Sequence, residues 1–123
     1  FIPIKLCMFK SFFTAVFIFN TAALSGQPKI PVDSATKYIG KTVTICSAVY
    51  GVKSLEKVTF INVGRAYPHS PLTLVIFAKD RGNFSDTPEK LYGNKSICVT
   101  GAIKEYKGKA EIIVSKQEEI KVE

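Results

Sequence analysis

Two phenylalanines and a scatter of cations carry the most legible chemistry in this chain. Phe60 and Phe77 lie in two β-rich runs, Lys57 to Val63 and Leu72 to Lys79, joined by a loop rich in Gly, Pro and aromatic residues. Successive side chains of a strand point to opposite faces. If Ile61, Val63, Leu74 and Ile76 fill a core, then Phe60, Asn62, Phe77 and Lys79 face outward together. Aromatic faces beside cations are what binding a single-stranded nucleic acid requires, each stacked base contributing roughly 1 to 3 kcal/mol. Arg65, Lys79, Lys53, Lys107 and Lys109 supply the charge. The competing reading places one or both phenylalanines in the core, under a helix or the N-terminal turns, where this residue type is more often found.

The loops add residues of the same kinds. Tyr50 and Lys53 follow the first strand, Arg65 and Tyr67 sit where the second and third strands turn, and Tyr106, Lys107 and Lys109 form a last hairpin. Tyr-Lys-Gly-Lys also reads as an ordinary hairpin turn with solvating charges, and Tyr67-Pro68 as a rigid packed corner. His69, the single histidine, reads as an exposed loop imidazole.

Catalysis finds little to work with. A metal-dependent phosphodiesterase needs clustered carboxylates for its cation and an Arg for transition-state charge. Asp80, Arg81 and Asp86 are the only such grouping near the middle of the chain, and Asp80 to Asn83 reads equally well as a polar turn. No Ser/His/Asp order, phosphate-cradling Gly loop or paired-carboxylate motif is present. The expectation is binding without catalysis and without a cofactor or metal.

The first 26 residues read as a secretory leader. Met8 to Lys10 is a basic start, Ser11 to Phe19 a short apolar core and Asn20 to Gly26 a small-residue exit. The apolar run falls short of the roughly 20 residues that span a membrane, so no stable span is expected in the mature chain. Phe1 to Cys7 adds nothing a leader needs, and translation is expected to begin at Met8. An exported protein, periplasmic or secreted, follows from this pattern.

Loss of the leader changes charge and cysteine arithmetic. The chain carries 17 basic and 10 acidic residues; without Lys5 and Lys10 the balance is 15 against 10, near +5. A moderately basic domain with dispersed charges favours single-stranded nucleic acid or another anionic polymer, without naming one. Cys7 leaves with the leader, and an even pair remains, Cys46 and Cys98. With Val43, Ile45 and Val49 facing a core, and Ile97, Val99 and Ile103 likewise, alternation puts both sulfurs outside. In an oxidising compartment such a pair invites a disulfide, which would close a loop of about fifty residues and stabilise by roughly 4 kcal/mol. Matched parity is necessary but not sufficient, so bonded and unpaired cysteines both stand. Two thiols and one His make a poor zinc site.

The elements that must position these residues follow from punctuation and period. Gln27 to Pro31 reads as an extended linker, and Asp33 to Ile39 as two helical turns with Asp33 as N-cap and Gly40 as stop. Strand-like alternation then runs over Lys41 to Val49, Lys57 to Val63 and Leu72 to Lys79. A short helix over Asp86 to Tyr92 has Pro88 in its first turn and Gly93 at its end. Strands over Ser96 to Lys104 and Ala110 to Ser115 flank the last hairpin. The expected layout is a leader over 1–26, linker and helix over 27–39, a domain over 40–116 and a charged tail over 117–123.

Three strands, a short helix and a two-stranded hairpin make the order of a five-stranded OB-fold Greek-key barrel. Gly40 to Cys46, Phe60 to Gly64, Tyr67-Pro68, Leu72 to Phe77, and Gly93 to Gly101 followed by Tyr106 to Gly108 resemble a bacterial family of exported OB-fold domains of nucleic-acid-binding type. The resemblance covers roughly Tyr38 to Val114. It implies a binding module, of the kind that occurs alone or beside secreted nuclease domains; within the family the nucleic-acid label is largely inherited from the fold. The alternative is an envelope protein using the same groove for glycans or protein partners.

Overall fold

Period-two alternation of β-branched residues decides most of the chain after Gly40. In the computed structural model, which describes residues 27–123, seven strands form: β1 Lys29–Ile30, β2 Thr42–Ser54, β3 Val58–Val63, β4 Leu72–Phe77, β5 Ser96–Tyr106, β6 Lys109–Ile113 and β7 Ile120–Val122. One α-helix, α1, spans Pro88–Tyr92, and 3-10 helices span Val32–Tyr38, Ala78–Asn83 and Gln117–Glu119. The leader, Cys7 and the start at Met8 lie outside the described residues.

Five strands close a ring. β2 pairs antiparallel with β3, β3 with β4, β4 runs parallel to β6, β6 pairs antiparallel with β5, and β5 returns to β2. Closure pairs every one of these strands with two neighbours, and only the N-terminal parts of β2 and β5 keep an edge outside the ring, which β1 and β7 cover. It works because β2 and β5 are long enough to serve twice: Thr42–Ala48 of β2 pairs with β5, and the rest of β2 pairs with β3. Val43, Ile45, Ile61, Val63, Leu74, Ile76, Ile97, Val99, Ile103 and Ile112 fill the interior. On β5, Gly101 leaves room for the side chain of Ile112 on the neighbouring strand, since a Cβ there would lie 2.7 Å from Cγ2 of Ile112. The helix α1 carries Pro at its start and buries Tyr92 against the barrel, edge-on to Phe84 with ring centroids 6.4 Å apart.

Several elements differ from the sequence reading, each for a physical reason. The described residues form seven strands rather than five, because β1 adds parallel to β2 and β7 adds antiparallel to β5. The expected linker therefore contains a strand, with Ile30 buried in register with Ile45. The charged tail is part of the fold too: Ile120 is buried, Asn83 Nδ2 donates to the Ser115 carbonyl, and Ser85 N–H donates to Gln117 Oε1. Asp33 is not a cap; Pro31 holds that position, and the Asp33 carboxylate pairs with Arg65 instead. The first barrel strand does not stop at Val49. A β-bulge between Val49 and Gly51 absorbs the break in alternation and the strand continues to Ser54, so Tyr50 and Lys53 belong to a strand and not to a loop. β4 ends at Phe77, and Lys79 lies in the following 3-10 helix.

The cysteines are bonded. Cys46 and Cys98 face each other directly across β2 and β5, Cα atoms 4.0 Å apart, joined by a disulfide between residues 52 apart in sequence. Matched parity allowed the bond, and the register, which puts Cys46 directly opposite Cys98, decides it.

Candidate functional site

Register places one broad outer surface over β3, β4 and β6. Inward parity belongs to Ile61, Leu74 and Ile112, so their neighbours point away from the core. Pairing sorts these neighbours into rows. Val58 lies opposite Phe77; Lys53, Phe60, Val75 and Ile113 form the next row; Gly51, Asn62, Thr73, Glu111 and Lys104 form the one beyond. Adjacent rows are about 7 Å apart along the strands and adjacent residues about 5 Å apart across them.

The question of where the phenylalanines point is thereby answered. Phe60 is half-buried and Phe77 is 39% exposed, both on the outer face. Between them Val75 is only 4% exposed yet stands apart from the barrel interior. Val58, Phe60, Val75, Phe77 and Ile113 thus make an apolar strip on the outside of the barrel, with Lys53 at its β2 end.

Polar groups next to the strip are held in fixed orientations. Asn62 Oδ1 accepts from Ser70 Oγ at 3.2 Å and from Thr73 Oγ1 at 3.5 Å. Its amide nitrogen is turned the other way, toward Gly51, where a Cβ would stand 3.8 Å from it. Glu111 is half-buried, and desolvation holds its carboxyl above the usual carboxylate range. Among the described residues the only salt bridge is Arg65 with Asp33, so Glu111 has no ion partner although Lys104 is its register neighbour.

Loops close the two ends of this surface. At one end the turn Leu55–Lys57 is tied down by Arg81, whose guanidinium donates to the Leu55 carbonyl, and by the Ala78 N–H to Lys57 carbonyl bond of 2.9 Å. At the other, the β5–β6 hairpin turns through Lys107 and Gly108, both with positive φ, the twist-matched geometry of a two-residue hairpin. Lys109 Nζ donates to the Pro68 carbonyl at 2.6 Å, latching this hairpin to the β3–β4 loop. Lys107 stands 5.3 Å from the ring centre of the exposed Tyr106.

Not every residue singled out from sequence joins the face. Phe60, Asn62, Phe77 and Lys53 come together, and Tyr106, Lys107 and Lys109 border them. Tyr50 is exposed at the bulge. Arg65 is committed to Asp33 at 2.9 Å and reaches the His69 carbonyl at 3.3 Å. Tyr67 is no packed corner: it is 78% exposed at the tip of its loop, beside exposed His69. Lys79 leaves the strand, so its parity with Phe77 is lost. Sequence reasoning missed Val58, Val75, Thr73, Glu111, Ile113 and Lys104. Alternation in Ala110–Val114 marks Glu111 and Ile113 as outward, but nothing local says that β6 lies beside β4.

Two of the three residues Asp80, Arg81 and Asp86 make side-chain hydrogen bonds. Asp86 Oδ1 accepts the Thr87 N–H at 2.7 Å, and Arg81 bridges to the β2–β3 turn. Cys46, Cys98 and Glu123 are the one cluster of potential metal ligands among the described residues, and its sulfurs are bonded to each other.

No protein-family model and no curated protein matches the chain. Solved structures do. The S. pombe Stn1-Ten1 complex is similar at 17% identity and a TM-score of 0.59, over 80% of this chain and 79% of that one. An aspartyl tRNA synthetase from Entamoeba histolytica matches at 18% identity and 0.58, over 82% of this chain but 22% of its own. OBody AM1L10, bound to hen egg-white lysozyme, matches at 14% and 0.54, over 81% of this chain and 97% of its own. The chain thus spans about a fifth of the synthetase and nearly all of the OBody. At such identities the likeness is one of architecture, and together with the strand pairing it makes this chain an OB-fold barrel with two flanking strands.

Proposed function

We propose that the chain is a non-enzymatic binding module that takes single-stranded nucleic acid across the outer face of β3, β4 and β6. The observation that carries this reading is the partly exposed Phe60 and Phe77 on one face, with Lys53 in the row of Phe60. That face and its two bordering loops are where OB-folds bind oligonucleotides. Apolar rings give bases a surface to stack on regardless of sequence, and Lys53, Lys104 and Lys107 at its margins give phosphates their counter-charges. The similarity to a tRNA synthetase and to the Stn1-Ten1 complex accords with it at the level of the fold.

A second reading has its own support. Disulfides persist in oxidising compartments, and Cys46–Cys98 agrees with export in front of which the leader pattern stands. There the same face would meet glycans or proteins, and the OBodies, bound to lysozyme, are OB-fold barrels in complex with a protein.

Fluorescence anisotropy with mixed-sequence single-stranded oligonucleotides separates the two. Three phosphate contacts predict a loss of roughly 20-fold in affinity between 50 and 200 mM salt, from counterion release at about 0.7 per contact. Binding that ignores salt, or none at 50 mM, sinks the nucleic-acid reading. Capture of a neutral glycan or a protein instead supports the second.

A further inference from the structure

An unpaired, half-buried carboxylate in the middle of a face meant for a polyanion is an anomaly. Glu111 stands in a basic domain, yet no cation among the described residues neutralises it, and Lys104, its neighbour across β5 and β6, lies beyond salt-bridge distance. Phosphates would be repelled here. A base edge would not, because the ring N–H and amino groups of bases are donors and a carboxylate is an acceptor only. The row that holds Glu111 runs beside the apolar strip, one step along the strands from Val75 and Ile113. A base lying on Phe60 and Val75 therefore turns an edge toward Thr73, Asn62 and Glu111.

We infer, resting on the nucleic-acid reading above, that Glu111 is a specificity-determining residue that selects guanine at this position. Guanine presents two parallel donors, N1–H and the 2-amino group, which match the two oxygens of one carboxylate. Thymine and uracil offer a single N–H between two carbonyls, which the carboxylate repels. Cytosine and adenine offer an amino group beside a ring nitrogen acceptor, so only one of the two bonds forms. Asn62 complements this selection: with Oδ1 accepting from Ser70 and Thr73, its amide N–H groups remain as donors and suit a base carbonyl or a sugar oxygen. Desolvation already raises the Glu111 carboxyl, so a partner that supplies two donors relieves an existing cost.

The test uses the full chain, a thymidine 12-mer, the same 12-mer with guanine at every third position, and a third with inosine in place of guanine. Inosine keeps N1–H and lacks the 2-amino group. The guanine oligonucleotide is expected to bind roughly tenfold tighter than the thymidine one, the size of one good bidentate base contact, with inosine between. Glu111→Gln is expected to erase that preference while binding the thymidine 12-mer at least as well as the parent, since a negative charge is gone. A thermal melt superimposable on the parent's establishes that the variant is folded, and Glu111→Asp, which keeps the charge but shortens the reach, provides a second folded variant with reduced preference. Equal affinity for all three oligonucleotides, or a guanine preference that survives Glu111→Gln, overturns the assignment while leaving the face a nucleic-acid site. No salt-sensitive binding of any oligonucleotide overturns both.

Discussion

At the residue scale, the face divides into groups that read the shape of a ligand and groups that read its charge, and substitutions should separate them. Phe77→Ala and Phe60→Ala are each expected to weaken single-strand binding by about 1 to 3 kcal/mol, the worth of one stacked base, without altering the salt slope. Lys53→Ala should lower affinity evenly across sequences and reduce that slope by nearly one phosphate contact. An affinity series over several salt concentrations resolves the two. Tyr92 makes a different prediction. Its ring is buried, its hydroxyl has no partner among the described residues, and burial pushes its pKa up to about 12. The folded value lies above the unfolded one, near 10. Between these values the unfolded chain has lost the proton and the folded chain has kept it. Stability must then fall as pH rises through that window. Tyr92→Phe should lack this alkaline loss and be neutral to stabilising near pH 7, because it removes a desolvated hydroxyl that gains no bond; urea denaturation at pH 7 and pH 11 measures both.

At the scale of elements, the seam between β2 and β5 bears the largest share of the design. The disulfide closes a loop across 52 residues, and a Cys46→Ala, Cys98→Ala double variant is expected to lose about 2 to 5 kcal/mol in urea titrations. Where the seam passes into the barrel, Gly101→Ala would drive a methyl into Ile112; overpacking of this kind typically costs about 1 to 3 kcal/mol, visible as an earlier melt with an unchanged fold by circular dichroism. The barrel strands were legible because each alternates over five or more residues between Gly, Pro or charged breaks, and α1 because Pro88 and Gly93 bracket it. The elements that escaped are those with no period to show. Lys29–Ile30 and Ile120–Val122 are too short for one, and the 3-10 helix over Ala78–Asn83 is a run of turn-forming residues that reads as a simple loop. The bulge at Tyr50–Gly51 escaped for the opposite reason: a broken alternation looks like a strand end until a partner strand is known to continue on both sides of it.

At the scale of the molecule, what the sequence leaves hidden is long-range. Phe60 and Phe77 could be matched by parity, since β3 and β4 are consecutive and pair as a hairpin. Glu111 and Ile113 could not be placed with them, because β6 reaches β4 only after a helix, a second hairpin and the closing of the ring. Arg65 shows the converse limit: as a cation beside an aromatic loop it looked available, and its partner Asp33 lies 32 residues away. The two flanking strands carry a consequence for handling the protein. β1 and β7 lie at opposite edges of the four-stranded layer formed with β2 and β5, about 14 Å apart by strand spacing, across the core from the phenylalanines. A sensor surface, a fluorophore or a fused enzyme attached beyond Val122 would therefore hold the domain by its back and leave the aromatic face turned toward solution, so that immobilised and free protein should give the same binding curve.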